Sequence, residues 1–192
     1  MIKELKKLID KKKVCVFGNA ESVLNKKRDI DSYDVIIRIN YGYPRHEVYE
    51  QIGTRTDVWF FGGGGKDGIW GKDIEDIFNP KLTIGIQFKN EFRENLTKRI
   101  DFPYDAIVQP LTNKLYDMGG KKPSTGCIVL ETLLLLNNYD TLDIYGFDFL
   151  KTNDWSYPSP ENTRLSVHEN FEVEEKYIKK LLWHHHKAKL HE

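Results

Sequence analysis

Short runs of almost uninterrupted apolar residues, at 14–17, 35–39, 58–61, 82–88, 106–109 and 142–147, constrain the fold of this chain more than any other feature. VCVF and VWFF do not alternate apolar with polar, as a strand with one wet face does, so both faces of such strands need cover. Between most of the runs lie stretches compatible with helix. The clearest is STGCIVLETLLLLNN, with Pro123 just before it and Ser124 as its N-cap. Strand alternating with helix, together with two-sided burial, predicts an α/β fold with a mostly parallel, Rossmann-like sheet flanked by helices. An amphipathic helix is expected in front of it, because Ile2, Leu5, Leu8 and Ile9 form one stripe opposite lysines. A charged helix is expected at the end, over HENFEVEEKYIKKLLWHHHKA.

The 192 residues, 40% of them hydrophobic, suit one core, and residues 1–192 are read as a single domain. Lysine plus arginine equal aspartate plus glutamate at 29 each, so no overall field favours a polyanion and nucleic acid is not an expected partner. No apolar run is long enough to span a bilayer, and MIKELKKLIDKKK lacks the apolar core of a secretory signal; a cytoplasmic location is the expectation. The lysines of the first helix suit an anionic membrane surface, so peripheral membrane contact stays open beside the default of a solvated face. Cys15 and Cys127 each sit inside an apolar run, where buried free thiols are common.

Three segments carry polar groups to places where a sheet of this kind binds ligands, outside the carboxyl ends of its strands. The first strand stops at Gly18-Asn19, where a glycine lets backbone approach a ligand and an asparagine offers both donors and an acceptor. The dinucleotide fingerprint and the Walker lysine are both absent. The second strand ends in Arg38-Ile39-Asn40, and period-two alternation places Arg38 and Asn40 on one face near that end. Pro123-Ser124-Thr125-Gly126 then sets two hydroxyls and a glycine at a helix N-terminus, a place for one phosphate held by neutral donors. Arg55, Thr56 and Asp57 precede their strand, where a structural ion pair is at least as good a reading as ligand contact. The loops at 62–70 and 151–165 are the expected seat of acceptor choice.

Two patterns suggest metal. Asp29-Ile30-Asp31 matches the aspartate-x-aspartate of metal-dependent glycosyl transfer, but it precedes a strand and reads as turn and cap. His184-His185-His186, if helical, point in different directions and read as a solvated face, so no metal site is assigned.

Taken together and in this order, the segments resemble the sialyltransferases of the eukaryotic type with their bacterial and viral relatives. Gly18-Asn19, Arg38-Ile39-Asn40 and Gly53-Thr54-Arg55-Thr56 match the large sialyl motif; Pro123 to Gly126 and Tyr145-Gly146-Phe147 match the small one. The resemblance implies the GT-A-like variant of the fold and an inverting, metal-independent transfer of sialic acid, or a related acidic sugar such as Kdo, from a CMP-sugar to a glycan hydroxyl. No cofactor is implied beyond that donor. It places Gly18, Asn19, Arg38, Asn40, Ser124, Thr125, Gly126, Tyr145 and Gly146 around the nucleotide, and makes His168 the base. The family's glutamate spacing lands on Val173, so the supporting carboxylate is Glu174, one residue on, or Glu172. The third motif's histidine-tyrosine pair has no counterpart, and Tyr157 stands in its interval. A nucleotide-binding domain without catalysis is the alternative class.

Overall fold

The computed structural model describes residues 2–42, 46–62, 72–86, 99–149, 151 and 171–191. Among the described residues, seven strands form one sheet in the order β5-β4-β3-β2-β1-β6-β7: β1 (Lys13–Phe17), β2 (Val35–Ile39), β3 (Val58–Phe61), β4 (Leu82–Gly85), β5 (Arg99–Asp101), β6 (Thr141–Tyr145) and β7 (Ala188–Leu190). Every neighbouring pair is parallel. The helices are α1 (Lys3–Ile9), α2 (Tyr49–Ile52), α3 (Lys72–Phe78), α4 (Tyr104–Asp117), α5 (Thr125–Leu136) and α6 (Phe171–Trp183), with short 3-10 turns at Glu21–Asn25, Ile30–Ser32 and His46–Val48. The α/β architecture expected from the apolar runs is the one observed.

The two faces of the sheet are covered differently. On one, Val14, Val16, Ile37, Val58, Phe60, Ile84 and Ile144 pack with residues of α1, α4, α5 and α6 in the larger core cluster. On the other, Cys15, Phe17, Ile36 and Tyr145 meet Val23, Ile30 and Ile52 from short turns and α2. Both cysteines are buried and free. None of the described helices is long and apolar enough to cross a membrane.

Two expectations are corrected. Residues 106–109 are helix, the start of α4, because Ile107, Val108, Leu111 and Leu115 are buried at helical spacing that a four-residue window does not reveal. Pro110 sits within that helix and does not end it. The terminal helix stops at Trp183, and His184 and His185 lie in turns that hydrogen-bond back to Leu181 and Leu182 before β7.

β1 and β6 are neighbouring interior strands, and their carboxyl ends leave the sheet side by side. A Cβ on Gly18 would stand 2.2 Å from the Gly146 carbonyl oxygen, and one on Gly146, whose φ is +68°, would stand 2.7 Å from that of Gly18. The close approach that Gly18 permits is therefore to the neighbouring strand exit.

Candidate functional site

A crevice with about 820 Å³ of open space lies outside the carboxyl ends of β1, β2 and β6, against the N-terminus of α5. Gly18, Asn19, Asn40, Ser124, Thr125, Gly126, Gly146 and Glu174 all line it. Three segments far apart in the sequence thus share one cavity, and Asn19 and Ser124 face the same space.

Asn40 arrives there because it leaves its strand. Its φ of +50° is the left-handed conformation that asparagine tolerates better than other residues with a Cβ. Its backbone N–H donates to the Phe60 carbonyl (2.8 Å), and its side-chain Oδ1 accepts from the Gly62 N–H (2.9 Å). Gly62 packs on the helix: a Cβ there would lie 2.2 Å from Thr125 Oγ1. Asn19 donates through Nδ2 to the Ile39 carbonyl at 3.4 Å, while its Oδ1 is buried with no hydrogen-bond partner among the described residues. A buried acceptor in that condition favours a ligand that brings a donor, such as a hydroxyl.

Arg38 does not join them. It is fully buried on the face of the sheet away from α5, its guanidinium over the Phe17 ring at 5.3 Å. It donates to the Ile52 carbonyl (2.5 Å), the Arg55 carbonyl (3.1 and 3.2 Å) and Thr56 Oγ1 (3.1 Å). Burial lowers its pKa to about 10. Alternation holds for Arg38 and fails for Asn40, because the left-handed turn carries the asparagine to the other side. Tyr145 is likewise outside the crevice, stacked between Phe17 and His191 with ring centroids 5.2 and 4.4 Å away. Its hydroxyl meets that of Tyr33 at 2.9 Å.

The N-terminus of α5 is partly answered from within. Ser124 Oγ accepts from the Cys127 N–H (3.1 Å) as a true N-cap. The Ser124 N–H and hydroxyl both donate to the Glu174 carboxylate, each at 2.6 Å. Ser124 therefore lines the crevice with its donors spent. The first-turn N–H groups of Thr125 and Gly126 are the ones that α5 turns toward a ligand. Glu174 is 3% exposed, and burial raises its pKa although the two Ser124 donors pull it down. It belongs to α6, which is anchored to α4 and α5 by a second polar set: Glu131 accepts from Tyr177 (3.0 Å) and Lys114 (3.1 Å).

The polar residues before β2 and β3 have structural work. Asp31 accepts from the Thr54 N–H and hydroxyl and from the Arg55 N–H, while Asp57 accepts from the Ile36 N–H and pairs with Arg55 and Lys81. Among the described residues no three histidine, cysteine or carboxylate side chains are grouped to hold a metal ion. Glu172 begins α6 outside the crevice lining. His168, Tyr157 and the loops at 63–70 and 152–165 lie outside the described residues. Sequence patterns did not single out Asp148, Phe149 and Phe171, which also line the crevice. The signal for two of them was present, as FDF directly follows the Gly146 strand exit.

No protein-family model matches the sequence, and no curated protein does. Solved structures match in fold. A mammalian sialyltransferase in complex with Gal-beta-1-3GalNAc-ortho-nitrophenol superposes with TM-score 0.64 at 19% identity, over 97% of this chain and 71% of that one. Another structure of a mammalian sialyltransferase gives 0.61 at 17% identity, over 94% and 68%. The sialyltransferase CST-II in complex with CMP gives 0.54 at 14% identity, over 93% and 80%. The chain shares the sialyltransferase fold.

Proposed function

We propose that this protein is a glycosyltransferase that takes sialic acid, or a related acidic sugar, from a CMP-sugar and passes it to a glycan hydroxyl. The observation that carries the proposal is the shared crevice: the turn after β1, the left-handed Asn40 and the first turn of α5 converge on one space. Fold similarity to sialyltransferases, one of them in complex with CMP, supports the choice of donor.

In this reaction the acceptor oxygen bonds to the anomeric carbon as the bond from that carbon to the phosphate oxygen breaks. CMP leaves with the electron pair, the hydroxyl proton passes to a base, and the anomeric configuration inverts. Departure adds one negative charge to a single phosphate, so oriented N–H donors can stabilise it without a divalent ion. Thr125 and Gly126 N–H at the helix end and the Asn19 amide are the groups suited to that task. Asn19 Oδ1 suits a ribose hydroxyl as acceptor. His168 is the residue proposed as base, a role that fits an imidazole side chain.

Release of CMP from CMP-sialic acid, measured with and without glycan acceptor, tests this directly. The wild type is expected to turn over, and His168→Ala to lose about 10²–10⁴-fold in kcat, the usual contribution of a positioned general base. Turnover unchanged in His168→Ala would remove that residue from its role. Absence of turnover combined with tight CMP binding would select the non-catalytic reading.

A further inference from the structure

We infer that His191, which follows β7, is a positioning residue for the donor crevice: it holds the exit of β6, and through that exit the turn that presents Asn19. This rests on the donor reading above and adds a residue outside the crevice lining. β7 has three residues and closes the strand order, with β6 as its neighbour. His191 fastens it to three successive residues of β6. Its backbone N–H donates to the Ile144 carbonyl (2.9 Å), its Nε2 meets Asp143 Oδ1 at 2.5 Å, and its ring stacks on Tyr145 with centroids 4.4 Å apart and planes inclined by 18°. Asp143 and Tyr145 share one face of β6 by alternation, so a single imidazole spans both.

Tyr145 is gripped from other sides as well. Phe17 of β1 stacks on it at 5.2 Å, the Arg28 guanidinium lies 5.2 Å from its ring centroid, and its hydroxyl meets that of Tyr33. Burial, then hydrogen bonds with Tyr145 and Asp143, raises the Tyr33 pKa, which keeps that phenol a donor to the same pair. The Tyr145 ring is thus held between β1 and His191, and losing the imidazole opens one side of the stack.

From Tyr145 the path to the crevice is short. Its carbonyl accepts from the Gly18 N–H (2.8 Å) and the Gly146 carbonyl accepts from the Ala20 N–H (3.1 Å), so Asn19 is carried between two bonds to the β6 exit. Phe147, next along, lies against both halves of the crevice: a Cβ on Gly18 or on Gly126 would stand 3.0 Å from its ring. Groups packed this closely transmit a displacement instead of absorbing it. A shifted β6 exit therefore moves the Asn19 turn relative to the first turn of α5, and the fit of one cytidylate between them changes. Simple fastening of an edge strand would act differently. It predicts lost stability and no change at Asn19 in the folded protein.

Nuclear magnetic resonance of the labelled full chain, free and titrated with CMP, separates the two roles. His191→Gln keeps a donor for Asp143 and loses the ring, whereas His191→Phe keeps the ring and loses the donor. Without nucleotide, His191→Gln is expected to move the backbone amide resonances of Asn19 and Gly126, and with CMP to weaken binding about tenfold. His191→Ser, a second variant without a ring, is expected to match it should the glutamine disturb folding. His191→Phe is expected to bring affinity back to within about threefold of wild type. Unchanged Asn19 and Gly126 amides and CMP affinity in the folded variants that lack the ring, or binding by His191→Phe as weak as by His191→Gln, overturns the inference. A wild type that ignores CMP, with Asn19 still moved by His191→Gln, keeps the positioning role and removes the donor reading.

Discussion

Arg38 and Asn40 are two residues apart, yet the structure gives them opposite work. Arg38 is a buried cation whose charge is spread over two carbonyls and a hydroxyl, a bracket that ties β2 to the turn before β3. Removing it strands these acceptors away from water, so Arg38→Ala is expected to lower stability by about 3 kcal/mol or more, read as a urea midpoint shift. Asn40→Ala is expected to lose only about 1 kcal/mol but to weaken CMP binding at least about tenfold. Equal effects of the two substitutions on CMP affinity, with both proteins folded, would contradict the division. The residue types here were legible as polar groups at a strand end. Their separation was not, because period-two alternation assumes an extended backbone and the φ of +50° at Asn40 ends that assumption.

At the scale of elements, the contact between α5 and α6 controls what the crevice offers. Glu174 takes the N-cap donors of Ser124, answering part of the α5 dipole that a phosphate would otherwise feel alone. Burial holds its carboxyl above the unfolded value of 4.5, so the folded state binds the proton more tightly than the unfolded chain. The stability this contributes is therefore complete below the unfolded pKa and is lost as pH rises through the folded one. Melting temperatures between about pH 4 and pH 7 are expected to show wild type losing ground to Glu174→Gln as pH rises. Parallel curves for the two proteins would refute it. The carboxylate itself was legible, since Glu174 lies one residue from the position the motif spacing indicates. Its target was not, because the hydrogen bond spans 50 residues. Strands β5 and β7 escaped notice for a different reason: each has three residues, too few for any period to declare itself. The start of α4 was misread because a run as short as AIVQ fits either helix or strand.

For the whole molecule, a parallel sheet with β1 between β2 and β6 brings the exits of these three strands to one edge, with the first turn of α5 beside them. That architecture was legible from runs that do not alternate, because two-sided burial is a property of each strand alone. The mutual fit of the exits, glycine against glycine at 2.2 Å, depends on how strands neighbour one another and is written in no single stretch. The account rests on these exits holding one cytidylate together. Titration of the labelled protein with CMP, following the backbone amides of Asn19, Thr125 and Gly126, tests this most directly. All three are expected to shift along a single binding curve, with UDP producing a weaker response. Shifts confined to one turn, or separate affinities for the two turns, would contradict it.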